Sequence, residues 1–357
     1  MNKQSGLDID LGNQCSKNAY SWSKKTFANR SGKTGNLAID IEGGFANMLQ
    51  FGKTRIGIAS DGIGTKIELA ERSGIYHTLG FDLLAMVADD LAAGGFEPTN
   101  ISNIIDVNLL DYETIDALMK GLHDACNFAG VAISGGEIAE LGNRIGGYGD
   151  GMNFNWCSTA IGVLHESLEK PIDGTKVGLG DVVISLQSHG FRSNGFSLIR
   201  RIMQKTYGDL WHNESYDEET TWGEKLLTPS LVFSPAITKM LDAGLQLNGI
   251  AHITGGGIAD NFQRVLNKTG VAAKLDNLYP PHEVIQRLQS LGNVPTDKAY
   301  LYWNMGNGML VVLPKADASK ALEVLKGANY EARIAGQIIE GQFVHILTDT
   351  VDLKEAY

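Results

Sequence analysis

The sequence predicts a two-domain protein of the α/β or α+β class. Three observations lead there. At 357 residues, the chain is longer than the size at which single hydrophobic cores stop growing. Short apolar, β-prone runs alternate with stretches of helical periodicity along its length. Residues 166–180, with Pro171, Gly174 and clustered charge, interrupt that alternation. The chain therefore divides into a mobile N-terminal arm and glycine loop (1–50), a first domain (51–168) and a second (169–357).

Taken in order, residues 1–50 are polar, and Gly6, Gly12, Gly32, Gly35, Gly43 and Gly44 are expected to break any long element. The run 55–60 reads as a strand. Residues 80–93 place Phe81, Leu84, Ala85, Ala88, Leu91 and Ala92 at helical spacing. A strand over 101–107 follows. Asp111 then reads as the N-cap of a helix to about Ala129, with Leu118, Leu122, Ala125 and Ala129 on one face. Val131-Ala132-Ile133 reads as a short buried strand, and 158–164 as the strand that closes the first half. The second half restarts with a strand at 182–186 and a helix at 196–205. Residues 207–224 are acidic, aromatic and unpatterned, which predicts a surface excursion. Helices near 230–243 and up to 265, a strand at 309–313 and a final helix–strand pair complete the reading.

Composition excludes several classes. The formal net charge is −11, so no global basic field exists to attract nucleic acid or an anionic membrane. Local cations and helix N-termini can still bind a small anion. Cys15, Cys126 and Cys157 are widely spaced, which offers neither a disulfide framework nor a zinc motif and fits a reducing cytoplasm. No apolar run approaches membrane-spanning length, and the first residues lack a signal-peptide pattern. A cytoplasmic protein is expected.

The chemistry concentrates at glycine turns. Ser60-Asp61-Gly62-Ile63-Gly64-Thr65-Lys66 follows a β-prone run. Its glycines allow close backbone approach to a phosphate, Asp61 suits a divalent cation, and Lys66 adds a positive charge. The spacing is not that of a Walker P-loop. Asp89, Asp90, Glu137 and Glu140 lie beside other glycine turns or on helices leaving them, and could complete a hard-oxygen site for Mg²⁺. Thr254-Gly255-Gly256-Gly257 leaves an apolar run for a helix, and Ser193-Asn194-Gly195 caps another. Each suits an anion, and each is also explained by a tight turn or plain capping. Gly306-Asn307-Gly308 is a weaker signal, and His252 reads as a core histidine.

In order along the chain, these motifs resemble the aminoimidazole ribonucleotide synthetase (phosphoribosylformylglycinamidine cyclo-ligase) family. Ser5-Gly6-Leu7-Asp8-Ile9-Asp10-Leu11-Gly12-Asn13 is like A-G-V-D-I-D-x-G-N, and Lys24-Lys25-Thr26 and Gly43-Gly44-Phe45 follow in place. Asp61 to Lys66 is like D-G-V-G-T-K, and Gly80 to Leu91 like G-x-D-L-x-A-M-x-x-N-D-L. Gly135-Gly136-Glu137-Ile138-Ala139-Glu140 is similar to G-G-E-T-A-E. Ser193 to Leu198, Leu227-Thr228-Pro229 and Ala251 to Gly257 also match. There are departures: Asp89 stands where the family has Asn, and Arg192 where a His usually precedes S-N-G. The segments 103–109, 141–157 and 298–304 also differ from the family pattern.

The resemblance implies a homodimer in which two N-terminal sheets pair into a barrel, beside a cleft for ATP. It implies ATP-dependent ring closure of formylglycinamidine ribonucleotide in purine biosynthesis. The amide oxygen would be phosphorylated and the substrate's own amidine nitrogen would then displace phosphate. ATP and Mg²⁺ are the expected cofactors, with K⁺ as a second cation to test. Gly43, Gly44, Asp61, Gly62, Gly64, Thr65, Lys66 and Asp90 are expected to contact ATP, and Asp61, Asp90 and Glu137 to hold the metal. Arg192, Ser193, Asn194, Thr254, Gly255, Gly256 and Gly257 are expected on the substrate phosphate. Lys66, Asp61 and Arg192 are expected to support catalysis. The alternatives are another ATP-dependent enzyme of the superfamily and a non-catalytic nucleotide-binding paralogue. Neither nucleic acid nor membrane is expected as a partner.

Overall fold

A computed structural model describes residues 9–39 and 44–357. Gly43 and residues 5–8 of the N-terminal motif lie outside the described residues. The first half contains α1 (Ile9–Thr26), β1 (Asn36–Ile39), β2 (Asn47–Phe51), β3 (Thr54–Gly62), α2 (Ile67–Ser73), α3 (Leu79–Ala93), β4 (Phe96–Val107), α4 (Tyr112–Ala129), β5 (Ala132–Glu140) and β6 (Phe154–Leu164). Helix α1 departs from the irregular arm that its glycines predict. A single interior glycine, Gly12, costs only about 1 kcal/mol relative to alanine. The rest of α1 carries no proline, and Lys24 and Lys25 sit favourably in its last turn.

The first six-stranded sheet has the order β1-β2-β3-β6-β4-β5. Only β4 and β5 are parallel, and α4 makes the crossover between them. Helix α4 starts as the sequence predicts: Asp111 Oδ2 accepts from Thr114 N at 2.9 Å. It ends at Gly130 in the left-handed region. Alternation along β4 and β6 buries Ile101, Ile105, Trp156 and Ala160 beneath α3. The opposite face carries Ile58, Ile104, Ile161 and Val163, all exposed.

The second half contains β7 (Val182–Gln187), α5 (Phe196–Tyr207), α6 (Trp222–Leu226), α7 (Ser234–Asp242), β8 (Gly249–His252), α8 (Gly257–Leu266), β9 (Ala272–Leu275), α9 (Glu283–Gly292), α10 (Thr296–Tyr302), β10 (Asn307–Leu313), α11 (Ala318–Gly327), β11 (Ala332–Ile339), β12 (Phe343–Leu347) and β13 (Asp352–Ala356). Its seven-stranded sheet has the order β13-β12-β9-β11-β7-β10-β8, with only β9–β12 parallel. The 207–224 stretch is the surface excursion the sequence predicts, but buried side chains anchor it. Trp211 and Trp222 are fully buried, and Arg287 lies 4.1 Å over the Tyr216 ring while donating to its carbonyl. Acidic composition hid this, because three large aromatics supply the burial. Helix α3 joins the halves by packing on its own sheet and also against α7 and β8.

Candidate active site

The first glycine motif lies at the end of β3. Asp61 pairs with Ser158 of β6, and its Oδ1 accepts from Gly62 N at 2.7 Å. Gly64 turns the chain with φ 73°, a conformation that glycine adopts without strain. Thr65 Oγ1 then reaches Ser197 Oγ of α5 at 3.2 Å, so this loop touches the start of the second half. Asp61 keeps contact with solvent, but the surrounding protein pushes its carboxyl up to about 6. Asp90 adds to that push.

Helix α3 delivers Asp89 and Asp90 to the junction of the halves. Asp90 Oδ1 lies 2.7 Å from His252 Nδ1, at the end of β8. Burial pushes Asp90 up to about 7, opposed by Arg264 and Arg192, although 22% of its side chain remains exposed. His252 is fully buried, and burial with the nearby Arg192 charge holds it down at about 3. The Asp90–His252 hydrogen bond carries its proton on Nδ1 when Asp90 is ionised and on the carboxyl when it is not, with a neutral imidazole in either case. His252 Nε2 has no hydrogen-bond partner. Arg264 of α8 lies 5.6 Å over the Phe45 ring, and Gly44, Phe45, Arg264 and Lys268 border a small cavity there.

Sequence reading missed Arg264, whereas His252 is the buried core histidine it expects, here paired with Asp90. Arg264 lies seven positions beyond Gly257 on α8, two turns along the helix that leaves the triple-glycine turn. Periodicity could have found it.

Three expected residues take other positions. Lys66 is fully buried: its Nζ lies 2.7 Å from Asp82 Oδ2 and donates to Thr228 O at 2.9 Å. Burial pushes this ammonium below its usual range and Asp82 opposes that push, so it does not project toward a ligand. Arg192, expected at an anion on the α5 N-terminus, is 1% exposed. Its Nη2 pairs with Asp89 Oδ2 at 2.7 Å and its Nη1 donates to Gly308 O at 3.3 Å. Glu137 stands opposite Ile104, which stands opposite Cys157 and then Gly62. Asp61 belongs to the neighbouring row, with Ser158, Asn103 and Gly136. Adjacent rows present opposite faces, so Glu137 and Asp61 are not on one side of the sheet.

Among the described residues, no three His, Cys, Asp or Glu side chains gather as a ready-made metal site. Asp61 and Asp90 nevertheless fit a divalent cation of the Mg²⁺ type. Such an ion is held by one or two carboxylates together with waters and phosphate oxygens, and these two carboxyls interact electrostatically.

A second constellation lies at the N-terminus of α5. Ser193 is buried and its Oγ has no partner, and Gly195 caps the 12-residue helix in the left-handed region. A side chain at Gly255 would meet only Asn194 Nδ2, at 3.8 Å, so this turn approaches the 254–257 turn. There, Gly256 caps α8 with φ 93°. Two helix N-termini thus border one region, and each favours an anion there. A larger cavity of about 1020 Å³ lies elsewhere, between Lys274, Tyr279, Tyr300 and Thr348, and none of the expected site residues line it.

The sequence matches two family models: AIR synthase related protein, N-terminal domain, over residues 43–164, and AIR synthase related protein, C-terminal domain, over residues 178–347. The phosphoribosylformylglycinamidine cyclo-ligase of Carboxydothermus hydrogenoformans is 33% identical over 347 residues, 95% of this chain and 96% of that protein. The protein of the same name from Thermococcus kodakarensis is 34% identical over 336 residues, 94% of each chain. Among solved structures, the thiamine-monophosphate kinase of Stenotrophomonas maltophilia has a TM-score of 0.61 at 14% identity, covering 90% of this chain and 94% of that one. The hydrogenase maturation protein HypE in complex with ATP has a TM-score of 0.59 at 16% identity, covering 84% of each chain. These two likenesses are of fold.

Proposed function

We propose, from the premise that this chain belongs to the AIR synthase related protein family, that it is a phosphoribosylformylglycinamidine cyclo-ligase. It closes the imidazole ring of aminoimidazole ribonucleotide at the expense of ATP. The observation that carries this reading is identity of about one third over nearly the whole length of relatives with that name. The first alternative, another enzyme of the fold, is matched through fold alone, at 14–18% identity; the second is a non-catalytic nucleotide-binding paralogue.

The chemistry asks little of protein nucleophiles. An amide oxygen is a poor leaving group and phosphate a good one, and the attacking nitrogen is already part of the substrate. Positioning and charge neutralisation therefore dominate. Asp61 and Asp90 would hold Mg²⁺ with the nucleotide phosphates, and the ion would neutralise phosphate charge there. Arg264 adds a cation beside Asp90, and Gly44, Gly62, Gly64 and Thr65 leave backbone close to the same region. Ser193, Asn194 and the 254–257 turn would take the ribose phosphate on two helix N-termini. K⁺ is a second cation to be titrated in the same experiments.

Incubation with formylglycinamidine ribonucleotide and MgATP is expected to yield aminoimidazole ribonucleotide and one phosphate per ring closed. ATP hydrolysis indifferent to that substrate would favour another member of the fold, and nucleotide binding without turnover a non-catalytic paralogue. Asp61→Asn should weaken MgATP binding by a few kcal/mol, about the contribution of a charge-assisted ligand. Unchanged affinity in calorimetry would return Asp61 to the turn.

A homodimer belongs to the same reading. Ile58, Ile104, Ile161 and Val163 form an exposed apolar sheet face that a second copy would cover, closing a barrel. The expected mass by light scattering is twice that of the chain, and Ile104→Asp with Ile161→Asp should yield monomers. A monomeric wild type would remove the barrel.

No described helix is long and apolar enough to cross a membrane. A cytoplasmic location accords with the reaction and with three free cysteines.

A further inference from the structure

The two single-residue departures from the family pattern meet in space. Asp89 and Arg192 are 103 positions apart, yet their side chains form a fully buried ion pair at 2.7 Å. Asp89 is otherwise saturated, because its Oδ1 accepts from Phe233 N at 2.7 Å and Ser234 N at 2.9 Å. It thereby fixes the start of α7 to α3. Arg192 lies 4.9 Å over the Phe233 ring and holds φ 60°, a left-handed conformation uncommon for a long side chain. Between the two halves sits His252, with Nδ1 2.7 Å from Asp90 and Nε2 3.8 Å from Asp89 Oδ2.

We propose that Asp89 and Arg192 form one exchangeable unit that positions Asp90 and His252 across the junction of the two halves. Charge balance in a buried site is the reason. Asp89 with Arg192 sums to zero. Either exchange alone leaves one buried charge without a partner, and that is the costly state for a buried pair. Asp89 precedes Asp90 on the same helix, so a change in its anchorage moves the carboxylate that faces His252. Both are positioning residues. Neither needs to touch a ligand, and Arg192 in particular is committed to Asp89 and Gly308.

The test is a four-protein cycle of wild type, Asp89→Asn, Arg192→His and the double variant. It rests on the cyclo-ligase reading only for its turnover readout, since nucleotide affinity by calorimetry and thermal stability are measured in parallel. Each single variant is expected to raise the KM for MgATP about tenfold or more, with the ribonucleotide KM within about twofold, while the double recovers most of the loss, as contacting residues do. Multiplying losses in the double variant would show independent roles and overturn the proposal. A rise confined to the ribonucleotide KM would also overturn it, making Arg192 a substrate contact. If the single variants fold poorly, Arg192→Lys keeps the charge without the planar fork. It should retain the fold and show the MgATP effect in milder form, and a fully normal MgATP KM there would count against positioning. A wild type without cyclo-ligase turnover would defeat the functional reading and leave the cycle to be decided in affinity and stability.

Discussion

Replacing Lys66 by alanine is expected to destabilise the fold by about 3–5 kcal/mol, the usual result of stranding one partner of a buried ion pair. Lys66 and Asp82 are both fully buried at 2.7 Å, and Asp82 Oδ1 also accepts from Ser230 N and its hydroxyl. The ammonium further donates to Thr228 O, so this one side chain ties α2's leading turn to the 228–230 segment of the second half. Urea unfolding of the metal- and nucleotide-free protein measures the effect. Lys66→Met with Asp82→Leu should recover most of it, since well-packed apolar replacements of a buried pair are tolerated. A Lys66→Ala protein of normal stability that no longer binds ATP would instead restore the triphosphate contact that the motif suggests.

The second large effect is expected at Gly257. Its φ is +69°, and a side chain there would land 1.8 Å from Tyr300 O. Forcing α10 away costs about 1–3 kcal/mol as overpacking, and the left-handed backbone adds about 1–2 kcal/mol for any other residue. Gly257→Ala should therefore lower the unfolding midpoint markedly. Gly255→Ala is the informative partner, because Asn194 Nδ2 at 3.8 Å is the only atom near. It should fold normally while raising the ribonucleotide KM if the phosphate binds at this turn. Equal, wild-type behaviour of both variants in unfolding and kinetics would remove the turn from both roles.

Adjacent glycines thus serve different ends. In sequence the 254–257 run is uniform, and all its glycines read as room for a ligand. In the structure Gly257 makes room for α10, Gly256 supplies a left-handed cap beside Asp260, and Gly255 alone could take a side chain without a clash, in ordinary contact with Asn194. Only the position of a distant helix separates them.

The sequence by itself determined the two halves, the alternation of strands and helices, the Asp111 cap and the ordered glycine motifs, because each rests on local periodicity or turn chemistry. Residue chemistry and the family resemblance proposed Asp61 and Asp90 for one metal site, and the fold leaves them close enough to influence each other electrostatically. Tertiary structure decided which charges are free. Lys66 and Arg192 look alike in sequence as cations beside glycine turns, yet each is buried against a carboxylate from α3, Asp82 and Asp89. Strand register decided that Glu137 faces away from Asp61, since a shift of one residue reverses the face. Arg264 and His252 come beside Asp90 through the packing of α3 on β8 and the course of α8, between segments more than 150 positions apart. Local pattern carries no record of such pairings, because the partner of a buried charge is chosen by the fold.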